Sequence, residues 1–145
     1  MHGRVKQGKR TLQTQEKQAR MKAMILAAGR GTRLKPLTDD IPKALVRAGG
    51  MSLLQRLIHK LKVQGVTEIV INVHHHSDQI RDFLKKHNDF NIQINISDES
   101  EMLLETGGGI KNAEDYLKGK EPFIVHNVDV LSDLDLRKVY DSHIN

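Results

Sequence analysis

The chain has no cysteine and no tryptophan, and only three phenylalanines and two tyrosines among 145 residues. Without cysteine it has no thiolate nucleophile, no Cys-based zinc site and no disulfide, a composition that fits a reducing, cytoplasmic setting. No apolar run approaches the roughly 18 residues of a membrane-spanning helix, and residues 1–20 lack the apolar core of a secretory signal, so no membrane partner is expected. With so few flat side chains there is little on which bases could stack, and nucleic acid is not an expected partner either.

Charge tells the same story once it is located. The formal excess is +5, from 23 Lys and Arg against 18 Asp and Glu. Residues 1–20 carry six bases (Arg4, Lys6, Lys9, Arg10, Lys17, Arg20) and one acid, Glu16, so the whole excess lies there and the remainder is neutral by count. Residues 1–20 read as a basic arm, disordered or loosely helical, because so polar a segment buries too little surface to offset its ordering entropy. An upstream start or tag-like remnant accounts for the arm more simply than a transit-like extension. Residues 21–145 read as one domain, long enough to bury roughly 68–70% of its unfolded surface.

From Met21 onward, short β-rich runs alternate with segments of helical period. Strands are expected over Lys22–Ala27, Thr67–Val73, Ile92–Ile96 and Pro122–Asn127. Helices are expected from Leu53 to near Gly65, over Ser77–His87 with Ser77 as N-cap, over Ile110–Leu117, and from Leu134 to about His143. This alternation predicts an α/β fold, a Rossmann-like three-layer arrangement with a mostly parallel sheet and helices on both faces. Ligands in such sheets sit beyond the carboxyl ends of the strands. The segments to inspect are therefore 28–35, 74–77, 97–109 and 127–133.

In the first of these, AAGRGTRLKPLT, small residues allow close approach of the backbone to a ligand, while Arg30, Arg33 and Lys35 supply charge for phosphates. It lacks the Walker A pattern and the third glycine of the dinucleotide fingerprint; by itself it is as consistent with a tight structural turn. Lys43 follows Pro42, whose fixed φ suits a point charge that must reach one phosphate. Asp129 ends an apolar strand, where a Mg²⁺ ligand facing a phosphate loop would stand, although an Asp there is commonly a turn residue. His74 and His76 point the same way on an extended chain, but no further ligand is spaced to join them, which favours pocket-lining or solvated histidines over a metal pair.

Taken in order, LAAGRGTRLKPLT (26–38), PKALV (42–46), LETGGG (104–109) and NVDV (127–130) resemble the sugar-phosphate nucleotidyltransferases, the nucleoside-diphosphate-sugar pyrophosphorylases. The spelling VTEIVINVHHHSDQI is similar to the N-acetylmuramate 1-phosphate uridylyltransferase-like and mannose-1-phosphate guanylyltransferase-like branch. The resemblance covers about residues 21–136. It implies backbone contacts to base and ribose from Leu26, Ala27, Ala28 and Gly29, and a triphosphate cradle at Gly31, Thr32 and Arg33. It implies that Lys43 holds a phosphate, that Asn72, Glu105, Thr106 and Gly107 line the base and sugar pockets with Asn127 on the substrate side, and that Asp129 binds Mg²⁺. Arg33, Lys43 and Asp129 would carry the catalysis.

The reaction so implied joins a sugar 1-phosphate to UTP or GTP with loss of pyrophosphate. Val128 stands where the family writes a small residue. Family members also continue beyond this length with strands that complete the sugar pocket and add a second acidic metal ligand. The chain is therefore expected to be an N-terminal nucleotide-binding portion. A module that binds nucleotide without turnover is the alternative.

Overall fold

The computed structural model describes residues 20–145, so the arm expected at 1–20 lies, but for Arg20, outside the described residues. Side chains alternate along β1 (Met21–Leu26). Met21, Ala23 and Ile25 enter one core cluster, whereas Met24 and Leu26 face the other. A strand apolar on both sides must be covered on both sides. β1 accordingly lies inside a parallel sheet, between β4 (Val66–Val73) and β6 (Phe123–Asn127), with β5 (Gln93–Asp98) beyond β4, in the order β5-β4-β1-β6. In β4 the run Ile69–Val73 is buried without a break, while β5 at the edge is mostly half-buried.

Helices α1 (Leu53–Val63), α2 (Ser77–Lys86) and α5 (Leu136–Ile144) supply Leu54, Ile58, Leu61, Ile80 and Tyr140 to the larger core, against Ile25, Ile69 and Ile71. Helices α3 (Thr106–Asn112) and α4 (Glu114–Leu117) lie against the opposite face, where Ala113 and Leu117 meet Met24 and Val70. The expected three-layer α/β arrangement is what forms.

Three local expectations are corrected. Ser77 is the first residue of α2, not its cap. The N-cap is His76, in left-handed conformation at φ 55, and its carbonyl accepts from Gln79 N–H at 3.1 Å. The helix expected to begin at Ile110 begins at Thr106 and breaks at Ala113, so the glycine run is its first turn rather than a loop. Low glycine helix propensity is overridden there by what lies underneath, described below. Finally, β2 (Arg47–Ala48) and β3 (Met51–Ser52) form an antiparallel hairpin that the sequence reading omitted. Its turn, Gly49-Gly50, has φ 58 and 80, and a Gly-Gly pair is the composition that a tight hairpin turn with positive φ at both positions demands. Ser52 then caps α1, its hydroxyl accepting from Gln55 N–H at 3.1 Å.

Residues Asn88–Asn91 all have φ between 47 and 53. Asn and Asp tolerate this region, so three of the four positions are inexpensive and Phe90 carries the strain. Its ring is 7% exposed and stacks on His87 at 4.9 Å with an interplanar angle of 8°, and its carbonyl accepts from Lys62 Nζ. Burial of the ring therefore holds the turn. Phe90→Ala is expected to lower unfolding free energy by about 3 kcal/mol in a denaturant titration; a loss below about 1 kcal/mol would mean that the turn forms without the ring.

The order of the strands places the site. The chain runs outward from β1 to β4 and β5, then returns to β6 on the other side of β1. The connection from β1 to β4 crosses one face of the sheet through α1, whereas that from β5 to β6 crosses the other through α3 and α4, so β1 and β6 stand side by side where the strand order reverses, the place where such sheets form a crevice.

Candidate functional site

Register brings three residues level at that crevice: Leu26 of β1 pairs with Asn72 of β4 on one side and with Asn127 of β6 on the other. The chain leaving β1 is held close to the sheet because Ala27 N–H and Ala28 N–H both donate to Asn72 Oδ1, at 2.7 and 3.3 Å. Ala27 and Ala28 are each 5% exposed, whereas a Cβ on Gly29 would meet nothing within 4 Å, so the loop opens at Gly29. Gly31 turns the chain back with φ 63, and the buried Thr38 hydroxyl donates to its carbonyl at 2.8 Å.

Lys43 begins a single 3-10 turn, Lys43–Leu45, behind Pro42 at φ −66, with Ala44 fully buried beneath as its anchor. From there Lys43 Nζ reaches Asp129 Oδ2 at 2.7 Å; the side chains are 19% and 39% exposed. Partial burial pushes the Asp129 carboxyl up. The Lys43 hydrogen bond and charge, with a contribution from the Arg33 charge, outweigh it and leave the group below its ordinary value of 3.8. A lowered folded value means that the pair stabilises the fold above the unfolded carboxylate value and that this contribution disappears as pH falls through the lower folded one. Wild type and Lys43→Ala should therefore differ in melting temperature at neutral pH, and the difference should shrink as pH falls from about 3.8 through the lower folded value. Scanning calorimetry across that range checks it, and a constant difference would contradict it.

Leu26, Ala27, Ala28, Gly29, Lys43, Asn72, Glu105, Thr106, Asn127 and Asp129, all singled out in the sequence, surround one cavity of about 190 Å³. Gly31, Thr32, Arg33 and Gly107 do not line it. Gly31 lies behind Lys43, Thr32 and Arg33 are exposed on the following turn, and Gly107 is exposed in the first turn of α3. Arg33 still reaches Asp129 electrostatically. Val128, whose bulk stood out in the sequence, is 1% exposed and packs into the core while also bordering the cavity.

The sequence reading missed Leu103 and Leu104 on the cavity wall, and Glu99 behind it. Asp98-Glu99-Ser100-Glu101 reads as a solvated acidic run; the only signal was that it follows a strand end. Among the histidines, His74 Nδ1 lies 2.6 Å from the Glu99 carbonyl, and the rings of His75 and His76 lie 3.8 Å apart, tilted by 49°. Among the described residues no three His, Cys, Asp or Glu side chains gather as a metal cluster. Larger grooves, about 550 and 830 Å³, flank β6 but take in neither the loop after β1 nor the Lys43–Asp129 pair. No helix among the described residues is long and apolar enough to cross a membrane.

Comparison with known proteins places the chain in a family. The family model described as nucleotidyl transferase matches residues 22–145. An N-acetylmuramate alpha-1-phosphate uridylyltransferase of Neisseria meningitidis serogroup B is 45% identical over 122 residues, covering 84% of this chain and 52% of that protein. A mannose-1-phosphate guanyltransferase of Saccharomyces cerevisiae is 39% identical over 125 residues, covering 85% of this chain and 34% of that protein. The crystal structure of HddC from Yersinia pseudotuberculosis complexed with GMP-PN superposes with a TM-score of 0.76 at 38% identity, over 86% of this chain and 55% of that one. The chain thus spans about half the length, or less, of the relatives it matches. By the model that matches nearly all its described residues, and by relatives 39–45% identical over most of its length, the chain belongs to the nucleotidyl transferase family.

Proposed function

We propose that the protein transfers a nucleotidyl group from UTP or GTP to a sugar 1-phosphate. An oxygen of the sugar phosphate attacks the α-phosphorus, the bond from that phosphorus to the bridging oxygen breaks, and pyrophosphate leaves with the electron pair. No covalent enzyme intermediate is required, so the protein's task is to position the reactants and stabilise charge.

The observation that carries the reading is the Lys43–Asp129 pair at the rim of a cavity walled by the Leu26–Gly29 chain. Leu26–Gly29 present backbone at which base and ribose can be held, and the open side of Gly29 admits the ligand. Lys43 supplies one point charge to a phosphate. Arg33, on the exposed turn, supplies a second toward the departing pyrophosphate.

The donor set also suits Mg²⁺, which takes one or two protein carboxylates and completes its shell with phosphate oxygens and water. Asp129 is such a carboxylate, partly exposed at the cavity beside a phosphate-binding lysine. When bound, Mg²⁺ would neutralise charge developing on the phosphate oxygens.

Similarity to both a uridylyltransferase and a guanyltransferase makes UTP and GTP, with N-acetylmuramate 1-phosphate and mannose 1-phosphate, the substrates to try. Pyrophosphate release measured for the four combinations in Mg²⁺ should show one preferred pair. Nucleotide binding with no pyrophosphate from any of them would favour a binding module instead.

A further inference from the structure

Glu99 is 3% exposed, and no cation lies within ion-pair distance of it among the described residues. Its two oxygens are held by neutral donors from two different places. Oε1 accepts from Asn72 Nδ2 at 2.9 Å and Oε2 accepts from Leu104 N–H at 3.1 Å. Asn72, itself 4% exposed, passes the contact on, because its Oδ1 accepts from the backbone of Ala27 and Ala28. A single relay thus runs from the LETGGG loop through Glu99 and Asn72 to the loop after β1, the two walls of the cavity.

The direction of each hydrogen bond matters. A carboxylate only accepts, so Glu99 accepts the Asn72 amide only with its NH₂ turned inward, which leaves the amide oxygen facing Ala27 and Ala28. Were that amide reversed, its donors would oppose two backbone N–H groups. Gly109 leaves room for the arrangement: a Cβ there would lie 2.8 Å from Glu99 Oε1 and 3.0 Å from Asn72 Nδ2. This is the constraint that places glycine inside α3.

We propose that Glu99 is a positioning residue for nucleotide binding: it sets the orientation of the Asn72 amide and thereby ties the loop after β1 to the LETGGG loop in binding-competent geometry. This rests on the nucleotide site described above. It also gives Asn72 a role beneath the pocket instead of in contact with the base.

A swap of hydrogen-bond polarity tests it. Glu99→Gln introduces a donor where two donors already converge, and Asn72→Asp sets two carboxylates against each other. Together the two substitutions restore every bond, because the new amide at position 99 donates to the new carboxylate at position 72 and still accepts from Leu104 N–H. Titration calorimetry with UTP and GTP, at a temperature where each variant is folded by circular dichroism, should show at least about tenfold weaker binding for each single variant. The double variant should return to within about threefold of wild type. Full defects in the double variant would overturn the proposal, as would unchanged affinity in folded Glu99→Gln. Absence of nucleotide binding by wild type would instead remove the nucleotide site itself.

Discussion

Replacing Lys43 with alanine should lower kcat/KM for nucleotidyl transfer by about 10²–10³-fold, the usual consequence of removing one preorganised charge from a developing oxyanion. The effect on folding should be far smaller. The pair with Asp129 is partly exposed, and such pairs contribute on the order of 1 kcal/mol or less. This separation of scales distinguishes a phosphate-binding lysine from a structural one. Lys43→Arg should recover little, because a planar, forked guanidinium does not reproduce the compact point charge of an ammonium. Steady-state pyrophosphate release beside a thermal melt decides the matter. A variant that loses several kcal/mol of stability but retains turnover would assign Lys43 to the scaffold.

Gly31→Ala should be the most damaging of the single-methyl changes in the loop after β1. At φ 63 an alanine is already strained, by about 1 kcal/mol. Its Cβ would also lie 2.9 Å from Lys43 Cβ and 3.0 Å from Thr38 Cγ2. One of these is a side-chain stem on the anchored turn that sets Lys43, and neither is a flexible end that swings aside. Overpacking of this kind costs a further ~1–3 kcal/mol and displaces the lysine. Stability and nucleotide affinity should therefore fall together.

Gly29→Ala is the control. With no positive φ and no atom within 4 Å of its Cβ, it should leave the melting temperature within a degree or so while obstructing ligand at the open side of the loop. Equal melting temperatures for the two alanine variants would contradict the packing seen around Gly31.

Much of the fold was legible because its physics is local. Met21–Leu26 and Val66–Val73 are apolar on both faces and imply strands inside a covered sheet. Leu53, Leu54, Leu57, Ile58 and Leu61 repeat at helical spacing and make the buried face of α1. The Gly49-Gly50 hairpin is equally local, its turn encoded by two adjacent glycines. The start of α3 was not legible in the same way. Three successive glycines suggest a loop by propensity, and only the tertiary structure shows that the last of them, Gly109, lies over Glu99 and Asn72 with no room for a side chain. The cap at His76 likewise reflects how the chain leaves β4, which no capping preference of Ser77 encodes.

The sequence by itself determined the layered α/β class, the four ordered motifs and the candidate residues for phosphate and metal, since periodicity, side-chain chemistry and motif order are properties of the chain taken along its length. The tertiary structure alone decided that Leu26, Asn72 and Asn127 stand level, that Lys43 meets Asp129 across 85 intervening positions, and that a buried Glu99 joins the two walls of the cavity. Those relations depend on strand order and register, which follow from packing between distant segments and leave no local trace in composition or spacing.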